Sequence, residues 1–373
     1  MVLVEILHLV QRGPASSAGH GKMRFRHPTV MKHRTFFWFI LPTLAAMLLF
    51  IALPIVSVAI QSLFVEHDQV LIEVENCNPF KCETSLSVDQ EATAALREAA
   101  PLGRFNGLGT YTNRNHLAVN ELGEAWDASA TWGAFVTKLL NLPFYKALIF
   151  TLTYTLVVTP FVLFFGLLIA LGVNSLPKIV RGPTIFASLL PMIVTPLVGS
   201  LILFWMVDAD GILGASLQWL FDDDDLSLKA SAPLTWIMLI VYGIWHSTPF
   251  SFIVFYAGLQ TVPVDTLEAA QIDGASRFER IRYVVVPYMM PLVTFVTMML
   301  LMDGFRVFEP IVGFSASAKA TSLSWIIYND LRGGDIQLFG SAAATSVMTI
   351  IGVVILLTPV LIRMWREFDR KVT

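Results

Sequence analysis

Charged side chains are scarce in this sequence. Asp, Glu, Lys and Arg make up 14% of its 373 residues, and 55% of the residues are hydrophobic. A soluble globular domain has roughly a quarter of its residues charged, so this chain lacks the charge that a water-exposed surface needs. A formal net charge of -3 also gives no basic surface for a nucleic acid. The composition therefore predicts a protein that lies mainly in a lipid bilayer.

Cysteine is almost absent from the chain. Cys77 and Cys82 are the two that occur, five residues apart in a polar segment. This spacing suits a small disulfide loop if the segment faces an oxidising compartment, and two free thiols are the alternative. A zinc site would need two more soft or imidazole ligands, and none lies nearby, so we predict no metal site.

The sequence also lacks the motifs of ATP-hydrolysing proteins and of hydrolytic enzymes. Gly21 and Lys22 do not form a phosphate-binding loop, because the upstream glycine and the following hydroxyl are missing. H-E-x-x-H and G-x-S-x-G are missing too, which argues against a membrane-embedded enzyme. We therefore expect neither enzymatic activity nor a cofactor in this chain.

Six apolar stretches are present instead, and each is long enough to cross a bilayer core, which takes about 20 helical residues. Prolines inside them are acceptable, because neighbouring groups in a membrane protein satisfy the freed backbone. The pattern predicts an all-α membrane protein with about six transmembrane helices. The stretches are residues 36–64 and about 147–173, 184–206, 234–259, 288–308 and 341–364.

Basic residues predict the orientation. If the N-terminus is cytoplasmic, four segments face inward, and together with Arg363 they hold 15 of the 25 Lys and Arg residues. The acidic run 222–225 then falls outside, and we interpret it as a solvated loop because it lacks the alternation and the turn glycine of a calcium loop. Met1 and Met23 both remain possible starts. The inward segments are 1–35, 174–183, 261–287 and 365–373.

A polar segment of about 80 residues, 65–144, separates the first two predicted helices. It has the size of a small domain, and the charge pattern places it outside the membrane. We predict a small extracytoplasmic insertion that helps to dock a partner, and the alternative is a tethered, partly disordered loop. The membrane core then occupies residues 145–364, and residues 365–373 form a cytoplasmic tail.

The segment 261–287, between the fourth and fifth helices, has the most specific pattern. Pro263 begins a helix, and Glu268-Ala269-Ala270 are strong helix formers. Gly274 then adopts a left-handed conformation that ends the helix. A second short helix carrying Phe278 leads into the next span. The pattern predicts a helix–turn–helix that projects into the cytoplasm.

This loop resembles the EAA loop of permease subunits from ABC importers. That pattern is Glu-Ala-Ala, three residues, Gly, nine residues and then Ile-x-Leu-Pro. Here Val284 and Val286 replace Ile and Leu before Pro287. The resemblance covers about residues 36–64 and 105–373 and is strongest to maltose-transporter-type permeases. The matching positions are Glu268, Ala269, Ala270 and Gly274.

The resemblance implies that this loop docks on a cytoplasmic ATPase dimer, which would bind ATP and Mg. Glu268, Ala269, Ala270 and Gly274 would then form the docking elbow, with Phe278 as a buried contact. Gly274→Asp should leave membrane insertion intact and break docking through a steric clash at the turn.

The family resemblance further implies a permease subunit in the bacterial inner membrane, importing a sugar or sugar-like solute by alternating access. Its other partners would be an extracytoplasmic solute-binding protein and a second permease subunit, identical or different. Two alternatives stay open. One is an ion-coupled secondary transporter, and the other is an ABC importer for a non-sugar solute such as a glycerol-phosphate compound.

Maltose-type permeases place sugar contacts on the fourth and fifth helices, which predicts the solute path by positional match. Aromatic faces and hydrogen-bonding groups suit a sugar. Three alternatives accompany this prediction: close helix packing at Gly243 and Ser247, an interhelical hydrogen bond from His246, and an ion pair between Asp303 and Arg306. The candidates are Gly243, His246, Ser247, Phe250, Leu300 and Gly304, with Asp303 adjacent.

Overall fold

The computed structural model describes residues 29–78, 81–129, 131–223, 227–333 and 337–372. The chain divides into two compact units, one ending at Ile55 and the other beginning at Val56. Helix α1 (Thr29–Met47) is followed by a π-helical turn, Leu48–Ala52, and then by α2 (Leu53–Gln61).

The rest of the described chain is mainly helical, with four short strands between residues 64 and 105. The strands are β1 (Phe64–Val65), β2 (Leu71–Asn78), β3 (Lys81–Val88) and β4 (Arg104–Phe105). The helices are α3 (Gln90–Ala99), α4 (Gly109–Thr112), α5 (Val119–Asp127), α6 (Trp132–Leu140), α7 (Pro143–Ser175), α8 (Lys178–Ile193), α9 (Pro196–Met206), α10 (Ile212–Phe221), α11 (Ala232–Leu259), α12 (Val264–Ile272), α13 (Arg277–Arg280), α14 (Val286–Tyr288), α15 (Met290–Phe305), α16 (Glu309–Gly313), α17 (Leu323–Arg332) and α18 (Phe339–Val372).

Four described helical runs are long and apolar enough to cross a membrane: Phe36–Gln61, Pro143–Ser175, Ala232–Leu259 and Phe339–Arg366. Two bent helix pairs raise the number to six if each pair is one span. The predicted all-α membrane protein is therefore confirmed, with four to six candidate spans.

The third predicted span, 184–206, is not one straight helix. Helices α8 and α9 meet at 90°, and Val194 and Thr195 between them have extended backbone. Pro196 explains the break, because it has no backbone N–H to donate and disfavours helical geometry in the residue before it. The fifth predicted span also differs. Helix α15 is bent by 69° from the helical run Arg277–Tyr288.

The described residues of the insertion 65–144 are folded into strands and helices. Strand β1 pairs antiparallel with β4, and β2 pairs antiparallel with β3. Asp89 caps α3 by accepting a hydrogen bond of 3.0 Å from the backbone N–H of Ala92. The extracytoplasmic location of the insertion remains a prediction.

The two cysteines lie on the paired strands β2 and β3. Cys77 is directly opposite Cys82 in the register. Opposed residues of antiparallel strands have Cα atoms about 4.5 or about 5.5 Å apart, and both values fall within the range of a disulfide. The two side chains lie outside the described residues, so the disulfide remains a prediction that the backbone register supports.

A buried histidine links the insertion to the last span. His116 has 0% exposure, and its Nδ1 lies 2.8 Å from Asn113 Oδ1. Its Nε2 lies 3.2 Å from the carbonyl of Ser341 and 3.1 Å from Thr345 Oγ1, both on α18. Burial lowers the pKa of His116, because a charged ring would lose its hydration. The His116 ring therefore joins parts of the chain that are more than 200 positions apart in sequence.

We expect His116→Ala to loosen the insertion. The change removes the ring that contacts the buried Thr345 hydroxyl on α18, and leaving a buried polar group without its partner costs about 1–3 kcal/mol. Limited proteolysis of the purified protein should show roughly tenfold faster cleavage within residues 65–144, since 1.4 kcal/mol is a factor of ten. His67→Ala is the matched control, because His67 is half-buried and its Nε2 has one partner, the carbonyl of Ala100 at 3.1 Å. Equal cleavage of the two variants would show that His116 is not a structural link.

Candidate functional site

A cavity of about 420 Å³ opens among α7, α9, α11, α15 and α16. It lies near the middle of α11, since His246 and Ser247 are close to the centre of that 28-residue helix. Its wall contains both polar and apolar groups. The lining residues are Tyr154, Thr155, Val158, Thr159, Pro196, His246, Ser247, Leu300, Asp303, Gly304, Arg306, Val307, Glu309 and Pro310.

The structure brings five of the seven predicted path residues together in this cavity wall. Two come from α11 and three from α15, helices that are separated in sequence by the EAA-type loop. These predicted positions therefore meet in the wall of this cavity. Contact with a solute remains a prediction. The five residues are His246, Ser247, Leu300, Asp303 and Gly304.

Gly243 and Phe250 do not line the cavity. A Cβ atom at Gly243 would lie 2.2 Å from Oη of Tyr154, so the small residue lets α11 approach α7 closely. Phe250 packs against the hydrophobic core. The close approach of α11 and α7 at Gly243 agrees with the packing alternative, and the assignment of Gly243 to the solute path remains a prediction.

His246 holds the bent span as well as facing the cavity. Its Nε2 lies 3.1 Å from the carbonyl of Val194, at the break between α8 and α9. Tyr242, one turn earlier, donates a hydrogen bond of 2.8 Å to the carbonyl of Pro196. A helix break inside a bilayer exposes carbonyls that must find partners within the protein. Helix α11 supplies these partners through His246 and Tyr242. The predicted interhelical hydrogen bond of His246 is therefore present.

The charges at the cavity are two carboxylates and one guanidinium. Arg306 Nη2 lies 3.0 Å from Asp303 Oδ1, which is the predicted ion pair. Among the described residues, Glu309 has no ion pair. Sequence reasoning missed Glu309 because it follows the fifth apolar stretch, and it missed Tyr154 because one hydroxyl on an apolar helix gives no periodic signal.

The predicted helix–turn–helix is present between α11 and α15. Helix α12 begins directly after Pro263, and Gly274 has a φ of +82°, the left-handed value expected at the turn. Ser276 and Glu279 then form a capping box, with the Ser276 N–H donating 2.7 Å to the Glu279 carboxylate. Arg280 Nη1 donates 3.0 Å to Gln271 Oε1 and so ties the two helices together.

The expected steric clash at Gly274 does not arise within this chain. A Cβ atom built there has no atom within 4 Å. The backbone conformation is what restricts this position, because most side chains are strained at positive φ and Asp and Asn tolerate it best. Any clash caused by Gly274→Asp would therefore involve a docked partner.

Large apolar side chains on this loop are exposed. Phe278 is 68% exposed, Ile272 85% and Tyr283 68%. Glu268 and Ala269 are exposed as well, and Ala270 is half-buried. Sequence reasoning did not single out Ile272 and Tyr283, although both flank the Gly274 turn. Exposed apolar groups on a polar loop mark a contact surface, and docking through them remains a prediction.

No group of three or more His, Cys, Asp or Glu residues that could hold a metal ion occurs in the part of the chain that the structure describes. Asp222, at the start of the acidic run, ends α10 with a φ of +51°. Asp224 and Asp225 lie outside the described residues.

Several curated proteins are similar to this chain. The trehalose/maltose transport system permease protein MalF of Thermococcus litoralis is 31% identical over 137 residues, which are 34% of this chain and 45% of that protein. The chain thus spans less than half the length of this relative. The arabinooligosaccharides transport system permease protein AraP of Halalkalibacterium halodurans is 27% identical over 226 residues, 58% of this chain and 71% of that protein.

The fold is similar to that of a solved bacterial ABC transporter involved in the import of the acidic polysaccharide alginate. The TM-score is 0.55 at 19% sequence identity, and the match covers 74% of this chain and 96% of that one. The family described as binding-protein-dependent transport system inner membrane component matches residues 129–367, well over half of the sequence. The chain therefore belongs to this family of multi-pass inner-membrane transport proteins.

Proposed function

We propose that this chain is a permease subunit of an ATP-driven importer and that it passes a sugar or sugar-like solute by alternating access. The observation that carries the proposal is that one loop joins the two helices that line the cavity. The exposed EAA-type loop links α11 to α15, and these two helices supply five residues of the cavity wall. A displacement of the loop would move two sides of the cavity at once.

The loop is braced in a way that suits the transmission of force. Its capping box and the Arg280–Gln271 hydrogen bond fix its two helices to each other. Tyr288 donates a hydrogen bond of 2.8 Å to the carbonyl of Thr261, which closes the base of the loop. Because these contacts hold the loop in one shape, a displacement of α12 would be transmitted to α11 and α15.

We propose the following partners for this arrangement. A cytoplasmic ATPase dimer would bind ATP and Mg, and the chain itself would need no cofactor. ATP can shift the cavity between inward and outward states only by binding one state more tightly than the other. A second permease subunit would complete the path, and a solute-binding protein would deliver the solute from outside. In the orientation that the basic residues predict, both termini are cytoplasmic and the insertion 65–144 is extracytoplasmic.

The chemistry of the cavity supports a sugar-like solute. The wall contains hydroxyl-bearing side chains together with Val158, Leu300 and Val307. A sugar ring presents hydroxyls and apolar C–H faces, and a mixed wall can meet both. The names of the similar proteins, which refer to trehalose, maltose and arabinooligosaccharides, point to the same class. A glycerol-phosphate compound is the alternative solute, and it differs from a neutral sugar by its negative charge.

We expect Phe278→Ala combined with Ile272→Ala to weaken the association with the ATPase. Both side chains are large and exposed on the loop, and truncating central apolar anchors of an interface typically costs 2 kcal/mol or more each. Copurification of the ATPase in mild detergent, measured as its ratio to this chain, should fall at least tenfold.

Phe164→Ala is the matched control for this experiment. Phe164 is 60% exposed but lies on the candidate span α7, away from the loop. Its loss should leave the ATPase ratio unchanged. If the double variant and the control retained the ATPase equally, the loop would not be the docking surface.

A further inference from the structure

Tyr154 and Thr159 bring two hydroxyl groups to the cavity wall from α7. Both residues are largely buried, with exposed fractions of 6% and 5%. Hydroxyl groups in a cavity wall can exchange hydrogen bonds with a solute that itself carries hydrogen-bonding groups.

The net charge of the cavity wall is negative. Asp303 and Arg306 form an ion pair and largely cancel. Glu309 adds a second carboxylate, and it forms no ion pair among the described residues. A cleft with low-dielectric walls focuses the field of such a charge and enriches counter-ions, with effects of 10-fold or more on local concentration. The cavity should therefore attract cations and repel anions.

We propose that this cavity selects its solute by charge, with Glu309 as the specificity-determining residue. It takes a polyhydroxylated solute that is neutral or carries an amino group, and it disfavours solutes that carry phosphate or carboxylate. The proposal rests on the proposed function for the identification of the cavity as the solute path. It decides between a sugar and a glycerol-phosphate compound on physical grounds, because the latter would bring its negative charge towards Glu309.

The test measures the field in the cavity without requiring knowledge of the solute. Ser247, in the wall, is replaced by Cys in a background with Cys77→Ser and Cys82→Ser. The assembled transporter in membranes then reacts with a cationic or an anionic methanethiosulfonate reagent. Rates are read from the mass shift of this chain and divided by the rates for free cysteine. We expect the cationic reagent to be favoured at least tenfold, and less so at high salt.

Substitutions that remove a negative or a positive charge from the cavity wall should shift the preference for the cationic reagent in opposite directions. Glu309→Gln should reduce the preference several-fold, and Glu309→Lys should reverse it. Arg306→Gln should increase the preference, because Asp303 then loses its partner. Thr137→Cys, exposed on α6, is the control site, and its rate ratio should not respond to changes at residue 309.

Three results would overturn the charge proposal. The first is equal normalised rates for both reagents at Ser247→Cys, and the second is no reaction there at all. The third is a preference that Glu309→Lys leaves unchanged while the variant still assembles. If ATP-driven uptake is normal in any of these cases, the proposed function stands and the charge selection fails. If the preference is present but uptake does not depend on ATP, the proposed function fails instead.

Discussion

Gly166→Ala is expected to cause a large loss of folded protein. A Cβ atom at Gly166, on α7, would lie 2.3 Å from Ser251 Oγ, 2.6 Å from Ser251 Cβ and 3.0 Å from the backbone nitrogen of Phe252 on α11. These atoms belong to buried groups, and Ser251 also donates a hydrogen bond of 3.1 Å to the carbonyl of Val162. The two helices would have to separate, and overpacking of this kind costs about 1–3 kcal/mol.

Gly172→Ala, on the same helix, is the control. Nothing lies within 4 Å of a Cβ atom there, and Ala is favoured over Gly in a helix by up to about 1 kcal/mol. The measurement is the fraction of each variant that remains monodisperse in detergent after heating. A loss at Gly172 as large as the loss at Gly166 would mean that α7 and α11 do not pack as the structure has them.

Gly274→Val is expected to abolish most ATP-driven uptake while the spans still insert. The φ of +82° at Gly274 is strained for an L-residue by about 1–2 kcal/mol, and a β-branched side chain is among the least tolerant. The turn would open and displace α12 from the position in which it docks. Uptake and ATPase copurification should both fall by at least tenfold.

Two further variants separate backbone strain from other effects. Gly274→Asn should retain more uptake than Gly274→Val, because Asn visits the left-handed region readily. Gly182→Val tests a glycine on the neighbouring helix α8 that has nothing within 4 Å of its Cβ position, and it should retain uptake. If Asn were as harmful as Val, the backbone conformation at this turn would not be the reason for the glycine.

Part of the fold was predictable from the sequence, because apolar length and helix signals are local. The spans and the helix–turn–helix around Gly274 follow from composition, proline position and one glycine. The 90° bend between α8 and α9 was harder to predict. Pro196 is visible in the sequence, but the break persists because His246 and Tyr242 satisfy its carbonyls from about 50 residues away.

The cavity residues could be predicted only at positions that match the family pattern on the fourth and fifth predicted helices. Gly243 could not be assigned from sequence, since one glycine spacing serves both helix packing and a solute path. The structure places the ring of Tyr154 beside Gly243, which no pattern in the sequence indicates. Glu309 and Tyr154 themselves were missed because their place in the cavity depends on how α7 and α16 come together, and no local pattern encodes this.

The most direct test of the account is purification of this chain from its native membrane in mild detergent, followed by reconstitution in proteoliposomes. We predict that an ATPase and a second permease subunit copurify in stoichiometric amounts. With a solute-binding protein present, uptake of a neutral sugar such as trehalose should then require ATP. A chain that purified alone and drove uptake from a proton or sodium gradient without ATP would contradict the account and favour an ion-coupled transporter.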